Sequence, residues 1–237
     1  MVRSLFSYWL VFSSVLMLFW SCIVVEPKQD DAKLQTAIAK YKAEYLATEV
    51  DWIKWNGNIN TCDEGDISEG VRKKALKRIN YFRTLCNLYP ITFKEEYNRL
   101  AQKAAAIILV NNKLSHYPDK TWKCYSEEAY KGTSESSISL DYPSAEFIKG
   151  FIKDPGMENT GVPHRRSLLF SMTGERGYGA TGRSEAIYHT TLQKDEERSP
   201  VPKFIAYPVA GYNEIDLVYP RWSFGLPKKN KVDYNQG

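Results

Sequence analysis

The order of two periodicities constrains this chain most. Over the first half, apolar residues recur at helical spacing; over the last third they alternate, as in half-buried strands. Leu34, Ile38, Tyr41, Tyr45 and Trp52 fall roughly on one helical stripe, with Lys40 and Glu44 at i,i+4 spacing. Val71, Ala75, Ile79, Phe82 and Cys86 make the buried face of a second helix, capped by Asp66 or Ser68 and ended by Asn87 and Pro90. Thr92-Phe-Lys-Glu95 has the form of a capping box, and the helix it opens would turn Tyr97, Leu100, Ala101, Ala104, Ala105 and Ile108 inward. Residues 119–142 read as irregular, and Pro143 suits the first turn of a helix carrying Phe147, Ile148, Phe151 and Ile152. Strand patterns follow at Gly177–Gly182, Ala186–Leu192, Phe204–Pro208 and Tyr219–Phe224. There is no β-α-β alternation, so the pattern predicts an α+β sandwich.

The 237 residues are 43% hydrophobic and 25% charged, which is enough apolar material for one globular core. A formal net charge of +4 is too weak and dispersed for a nucleic-acid footprint. The basic end Lys228-Lys229-Asn230-Lys231 reads as a solvated tail. Behind Arg3, residues Ser4–Val25 carry no charge, and within them stands Ser21-Cys22. This resembles a bacterial lipoprotein signal peptide, which would be cut before Cys22 and acylated there, although Phe19 and Trp20 are bulky for that motif. An uncleaved membrane anchor and plain secretion remain open, since about 20 apolar residues suffice to span a bilayer. All three place the folded part outside the cytoplasm. Of Cys62, Cys86 and Cys124, two can pair in an oxidising compartment and one stays free; spacing does not say which.

The candidate functional stretch is Asp154-Pro-Gly-Met-Glu-Asn-Thr-Gly-Val-Pro-His164-Arg-Arg-Ser-Leu-Leu-Phe170. Turn residues lead into His164, as in a loop that delivers one side chain to a fixed place. The chain has three histidines, His116, His164 and His189, so each counts. His189 lies in an alternating segment and reads as a sheet-face residue. Arg165 and Arg166 are expected to anchor the loop through carboxylates or helix-end carbonyls. Gly177, Gly179 and Gly182 sit in a strand pattern with no helix opening behind them, which excludes a nucleotide-binding loop.

Several pieces together resemble the CAP superfamily of cysteine-rich secretory, antigen 5 and pathogenesis-related proteins, in its bacterial SCP-like extracellular branch. They are Arg78-Ile-Asn80-Tyr81-Phe-Arg83, the alanine-rich helix before Leu114-Ser-His116, Trp122-Lys-Cys124-Tyr125, and Asp154-Pro-Gly. They continue with His164-Arg165-Arg166-Ser-Leu168-Leu169, Gly177-Tyr-Gly179, Ala206-Tyr-Pro208 and Pro220-Arg221-Trp222-Ser223-Phe224. The resemblance implies a three-layer α-β-α sandwich around an antiparallel sheet, with a cleft lined by two histidines and two acids that in some members holds a divalent metal such as zinc. His116 and His164 match the histidines. Asp154 stands where the second acid is expected, and Glu135 lies one residue before the slot of the first, which is Ser136.

The implied division is a signal segment at 1–21, a tether and N-terminal helix at 22–65, a CAP/SCP-like domain at 66–227 and a basic tail at 228–237. The expected function is that of a monomeric, membrane-anchored binding module in the bacterial cell envelope, non-enzymatic, with a lipid, glycan or protein as ligand. The competing expectation is a divalent-metal-dependent, peptidase-like hydrolase using His116 and His164, with Asp154 and Glu135 as further ligands.

Overall fold

The computed structural model describes residues 31–141, 147–189 and 202–227. Helix α1 spans Asp31–Lys40 and tightens through two short helical turns at Tyr41–Tyr45 and Leu46–Thr48. Then come α2 (Glu69–Leu85), β1 (Thr92–Phe93), α3 (Glu95–Asn111), α4 (Glu127–Ser134), β2 (Ser136–Leu140) and α5 (Lys149–Lys153). The chain continues with α6 (Pro163–Leu168), β3 (Glu175–Ala180), β4 (Ser184–Tyr188), β5 (Ile205–Tyr207) and β6 (Ser223–Gly225). The central sheet has the order β1-β3-β4-β2, and β5 and β6 form a separate two-stranded ribbon. Pairing is antiparallel except for the two-residue contact of β1 with β3.

Alternation along the strands builds two apolar layers. Ile138, Ala186 and Tyr188 point to one face and pack under Leu100, Ala101, Ala104, Ala105 and Ile108 of α3. Tyr178, Ala180 and Ile187 point to the other, where Ile79 and Phe82 of α2 join Phe147, Phe151 and Leu168 around α5 and α6. This is the α-β-α sandwich that the sequence predicts.

Helix α3 lies directly on β3 because β3 has no side chains where they meet. A Cβ on Gly177 would stand 2.1 Å from the Tyr97 carbonyl carbon, and one on Gly179 2.2 Å from the Gln102 nitrogen. Among the described residues no strand lies beside the outer edge of β3 beyond Arg176, and α3 supplies the missing partners. Asn98 Oδ1 accepts the Tyr178 N–H (3.0 Å), Gln102 Oε1 accepts the Ala180 N–H (3.0 Å), and Gln102 Nε2 donates to the Ala180 carbonyl (3.0 Å). The side-chain amides thus satisfy buried backbone groups that would otherwise lack partners.

Several sequence expectations hold. Lys40 and Glu44 pair at 2.7 Å, and Ser68 caps α2 by accepting the Val71 N–H. Cys62 and Cys124 form a disulfide, while Cys86 is a buried free thiol whose pKa burial pushes up to about 12. The disulfide joins residues 62 apart, a loop for which chain entropy gives about 4 kcal/mol of stabilisation.

Other expectations are corrected. The Thr92–Glu95 capping box does not form: Thr92 and Lys94 donate their N–H groups to Gly174 and Arg176 of the sheet, so these residues are strand, and α3 starts without a side-chain cap. Residues 119–142 are not wholly irregular. Ser126 accepts the Ala129 N–H and caps α4, and the serine-rich segment after it is β2. The helix expected to carry Phe147 and Phe151 is only the five residues Lys149–Lys153, which Phe147 precedes, and Pro143 falls outside the described residues. The last strand is shorter than the Tyr219–Phe224 pattern and begins at Ser223. Tyr45 and Ile53 belong to the main core, so the folded part of the expected N-terminal extension is packed on the domain.

Replacing Gly179 by Ala should cost about 3 kcal/mol or more in urea unfolding, because backbone on both sides must move. Gly161→Ala, where nothing lies within 4 Å of the new methyl group, should change stability by less than about 0.5 kcal/mol.

Candidate functional site

Helix α5 ends at Asp154, which takes a left-handed conformation (φ 52°) and is fully buried. Its carboxylate is turned toward the start of α6. That helix has Pro163 in its first turn and Val162 at its N-cap, so no side chain of its own can receive its first amides. Asp154 does so from ten residues upstream. Oδ2 accepts the N–H groups of His164 (2.8 Å) and Arg165 (3.2 Å), and Oδ1 meets His164 Nδ1 at 2.8 Å. His164 therefore sits on the first turn of a short helix, not on the open loop the sequence suggested. Phe151 presses edge-on against its ring at 5.7 Å. With Nδ1 engaged, Nε2 is the ring nitrogen left for a ligand.

Buried arginines hold the surrounding loops. The Arg165 guanidinium donates to the Ile152 carbonyl at the end of α5 (2.6 Å) and to the Arg221 carbonyl (2.6 Å). Arg221 in turn donates to the carbonyls of Asp154 (2.8 Å) and Gly156 (2.8 Å). Burial lowers the Arg165 pKa, and the neighbouring Tyr207 and Asp154 oppose that shift. Of the two kinds of partner the sequence allowed for Arg165, carboxylates or helix-end carbonyls, these bonds go to carbonyls.

His164 and Asp154 line a cavity of about 80 Å³ together with Ser139, Phe151, Asn159 and Glu185. Ser139 and Glu185 face each other across β2 and β4. Ser139 Oγ is buried without a hydrogen-bond partner, and Glu185 Oε1 accepts the Tyr178 hydroxyl at 2.7 Å. Burial raises the Glu185 pKa to about 7, against the Tyr178 hydrogen bond, which lowers it. The sequence reading missed both residues. A signal for Glu185 was present: it stands two before Ile187, hence on the same inward face. Ser139 was hidden in a run of serines.

His116 and Glu135 do not line this cavity. His116 is exposed, its Nδ1 held by the Thr133 carbonyl at 3.0 Å, and the Thr133 hydroxyl donates back to the His116 carbonyl at 3.2 Å. Glu135 closes the end of α4, and its Oε2 accepts the Tyr188 hydroxyl at 2.6 Å. His189 follows β4 and donates its N–H to the Glu135 carbonyl at 2.8 Å. Burial first, then the charges of Arg176, His116 and His164, push its pKa down to about 4. Among the described residues no three His, Cys, Asp or Glu side chains are gathered to hold a metal ion. Both Asp154 oxygens are engaged by the first turn of α6. A second cavity, of about 250 Å³, lies by the Cys62–Cys124 disulfide and contains no histidine. Cys22 lies outside the described residues.

With this fold and cleft described, one comparison with known families defines a class. The model of the cysteine-rich secretory protein family, CAP, matches residues 76–193. The chain belongs to the CAP superfamily. The matched segment runs from α2 past β4, includes all three histidines, and leaves out the β5–β6 ribbon. Among solved structures, the chain is similar to an extracellular protein containing a SCP domain from Bacillus anthracis str. Ames. The identity is 14% over 53% of this chain and 45% of that one, with a TM-score of 0.37. The chain thus spans less than half the length of that protein. A search of curated proteins gives no match.

Glu185 makes a pH signature. The unfolded carboxyl loses its proton near 4.5 and the folded one near 7, so the native state binds more protons between these values. Stability conferred by the folded state therefore falls as pH rises through that window, by about 3 kcal/mol in total. Glu185→Gln should remove this loss: in urea unfolding, its stability relative to wild type should improve by about 3 kcal/mol between pH 4.5 and pH 8.

Proposed function

We propose that this chain is an exported CAP-domain binding module, held at a membrane surface outside the cytoplasm, whose His164 cleft receives a small polar group of its ligand. The domain division at 1–21, 22–65, 66–227 and 228–237 is part of this reading, as is a monomeric state. Export is supported by the uncharged Ser4–Val25 run and by the Cys62–Cys124 disulfide, since disulfides persist in oxidising compartments. Among the described residues no helix is long and apolar enough to cross a membrane. In this reading the anchor is Cys22, by acylation at the Ser21-Cys22 pair.

One observation carries the binding reading. Asp154 fixes His164 through both its backbone and its ring, in a cavity that His116 and Glu135 do not share. A rigid imidazole, an unpartnered Ser139 hydroxyl and the Glu185 carboxyl offer a donor and acceptor set for a lipid headgroup, a sugar hydroxyl or a peptide amide.

A metal-dependent hydrolase is the second reading, and one feature favours it. Both His116 and His164 have Nδ1 held by an oxygen, the arrangement that orients metal-ligating histidines. Calorimetric titration with Zn²⁺ separates the two. Under the binding reading, wild type and the His116→Ala/His164→Ala variant give equal heats; a heat that depends on the histidines would favour the hydrolase. For the anchor, Cys22→Ser should shift the protein from the membrane fraction to the soluble one.

A further inference from the structure

Glu185 is a buried carboxyl group without a counter-ion. It is 6% exposed, and Tyr178 donates its hydroxyl to Oε1 at 2.7 Å. Among the described residues nothing bonds to Oε2, and no cationic side chain stands within ion-pair distance. The field of Arg78 favours the ionised form from a distance. Its guanidinium, however, is committed to Thr48 Oγ1 (2.9 Å) and to the carbonyls of Tyr45 (3.2 Å) and Phe147 (3.3 Å). Among the described residues no lysine or arginine lines the cavity. A buried carboxylate that has lost its hydration needs a cation beside it, and here the protein supplies none.

The other polar walls are acceptors as well. Asp154 only accepts, so His164 carries its proton at Nδ1, and the neutral ring leaves a lone pair at Nε2. Ser139 stands directly across from Glu185 in β2, is 7% exposed, and has no partner for Oγ. His164, Ser139 and Glu185 thus line one space of about 80 Å³, roughly the room of two or three waters. Such a space admits the end of a ligand and not the whole of it. Phe151 adds an aromatic wall, and Leu114, 54% exposed, joins the lining to the solvent.

We infer that the polar group received by the His164 cavity is a primary ammonium, R–NH₃⁺. Its N–H groups meet Glu185, Ser139 Oγ and His164 Nε2, and its alkyl stem leaves past Leu114. The inference rests on the reading of the cleft given above and narrows it to one class of ligand. A primary ammonium has three donors, no acceptor and a full positive charge. A hydroxyl or an amide leaves the Glu185 charge unbalanced, and a quaternary ammonium has no N–H to give.

The test uses the full chain, ¹³C-labelled at histidine. With three histidines in the sequence, the His164 ring signal is identified by its loss in His164→Gln. At pH 8 and constant ionic strength, propylammonium chloride should move that signal saturably, with a dissociation constant in the millimolar range expected of so small a ligand. Potassium chloride and tetramethylammonium chloride should leave it in place. Glu185→Gln should weaken propylammonium binding by about tenfold or more, and Ser139→Ala by several-fold. The inference is overturned if potassium or tetramethylammonium acts as propylammonium does, or if Glu185→Gln binds propylammonium as wild type does. Acetamide separates the two levels of the argument. If acetamide saturates the His164 shift as well as propylammonium does, or in its place, the ammonium is overturned and the polar-group cleft stands; if neither binds, both fall.

Discussion

Everything in this fold rests on the close approach of α3 to β3. Gly177 and Gly179 remove the side chains that would hold the helix off the sheet. At that distance Asn98 and Gln102 reach the backbone of β3 and complete its hydrogen bonding where no neighbouring strand does. A helix thus does the work of an edge strand. The same contact sets the plane of β4 and β2, because β4 pairs with β3 and β2 with β4. Ser139 and Glu185 face the cleft only because that register is held.

The opposite layer is held by charges of an unusual kind. Arg78, Arg83, Arg165 and Arg176 are all buried, and they donate mainly to carbonyls of loops and helix ends. A planar guanidinium has several donors in a fixed fork, so one side chain can join segments far apart in sequence. Burial lowers the pKa of Arg176 to about 9, and the nearby Arg83 adds to the shift. Asp154 is the counterpart: an acid whose oxygens are consumed by the first turn of α6. Its role in the cleft is to position His164.

Much of this was legible in one sequence. Helical spacing identified α2 and the inward face of α3, and the Cys count predicted a single disulfide with one free thiol. The Thr92–Glu95 motif misled because its backbone amides had a stronger claim from the sheet. Strand β2 was concealed because Ser136, Ser137 and Ser139 carry no hydrophobic signal, although all three are buried. Local pattern reports what a segment prefers in isolation, and these segments are decided by their neighbours.

The sequence by itself determined the class of fold and the family. Those depend on residue type and order along the chain, which spacing preserves. Tertiary structure alone decided that Asp154 caps the helix bearing His164, that His116 and Glu135 stand outside its cavity, and that Ser139 and Glu185 stand inside. It also decided that Phe204, Trp222 and Phe224 of the last two strands and their approaches stay exposed among the described residues. These are distances between segments tens of residues apart, fixed by strand register and by buried hydrogen bonds that no linear pattern encodes.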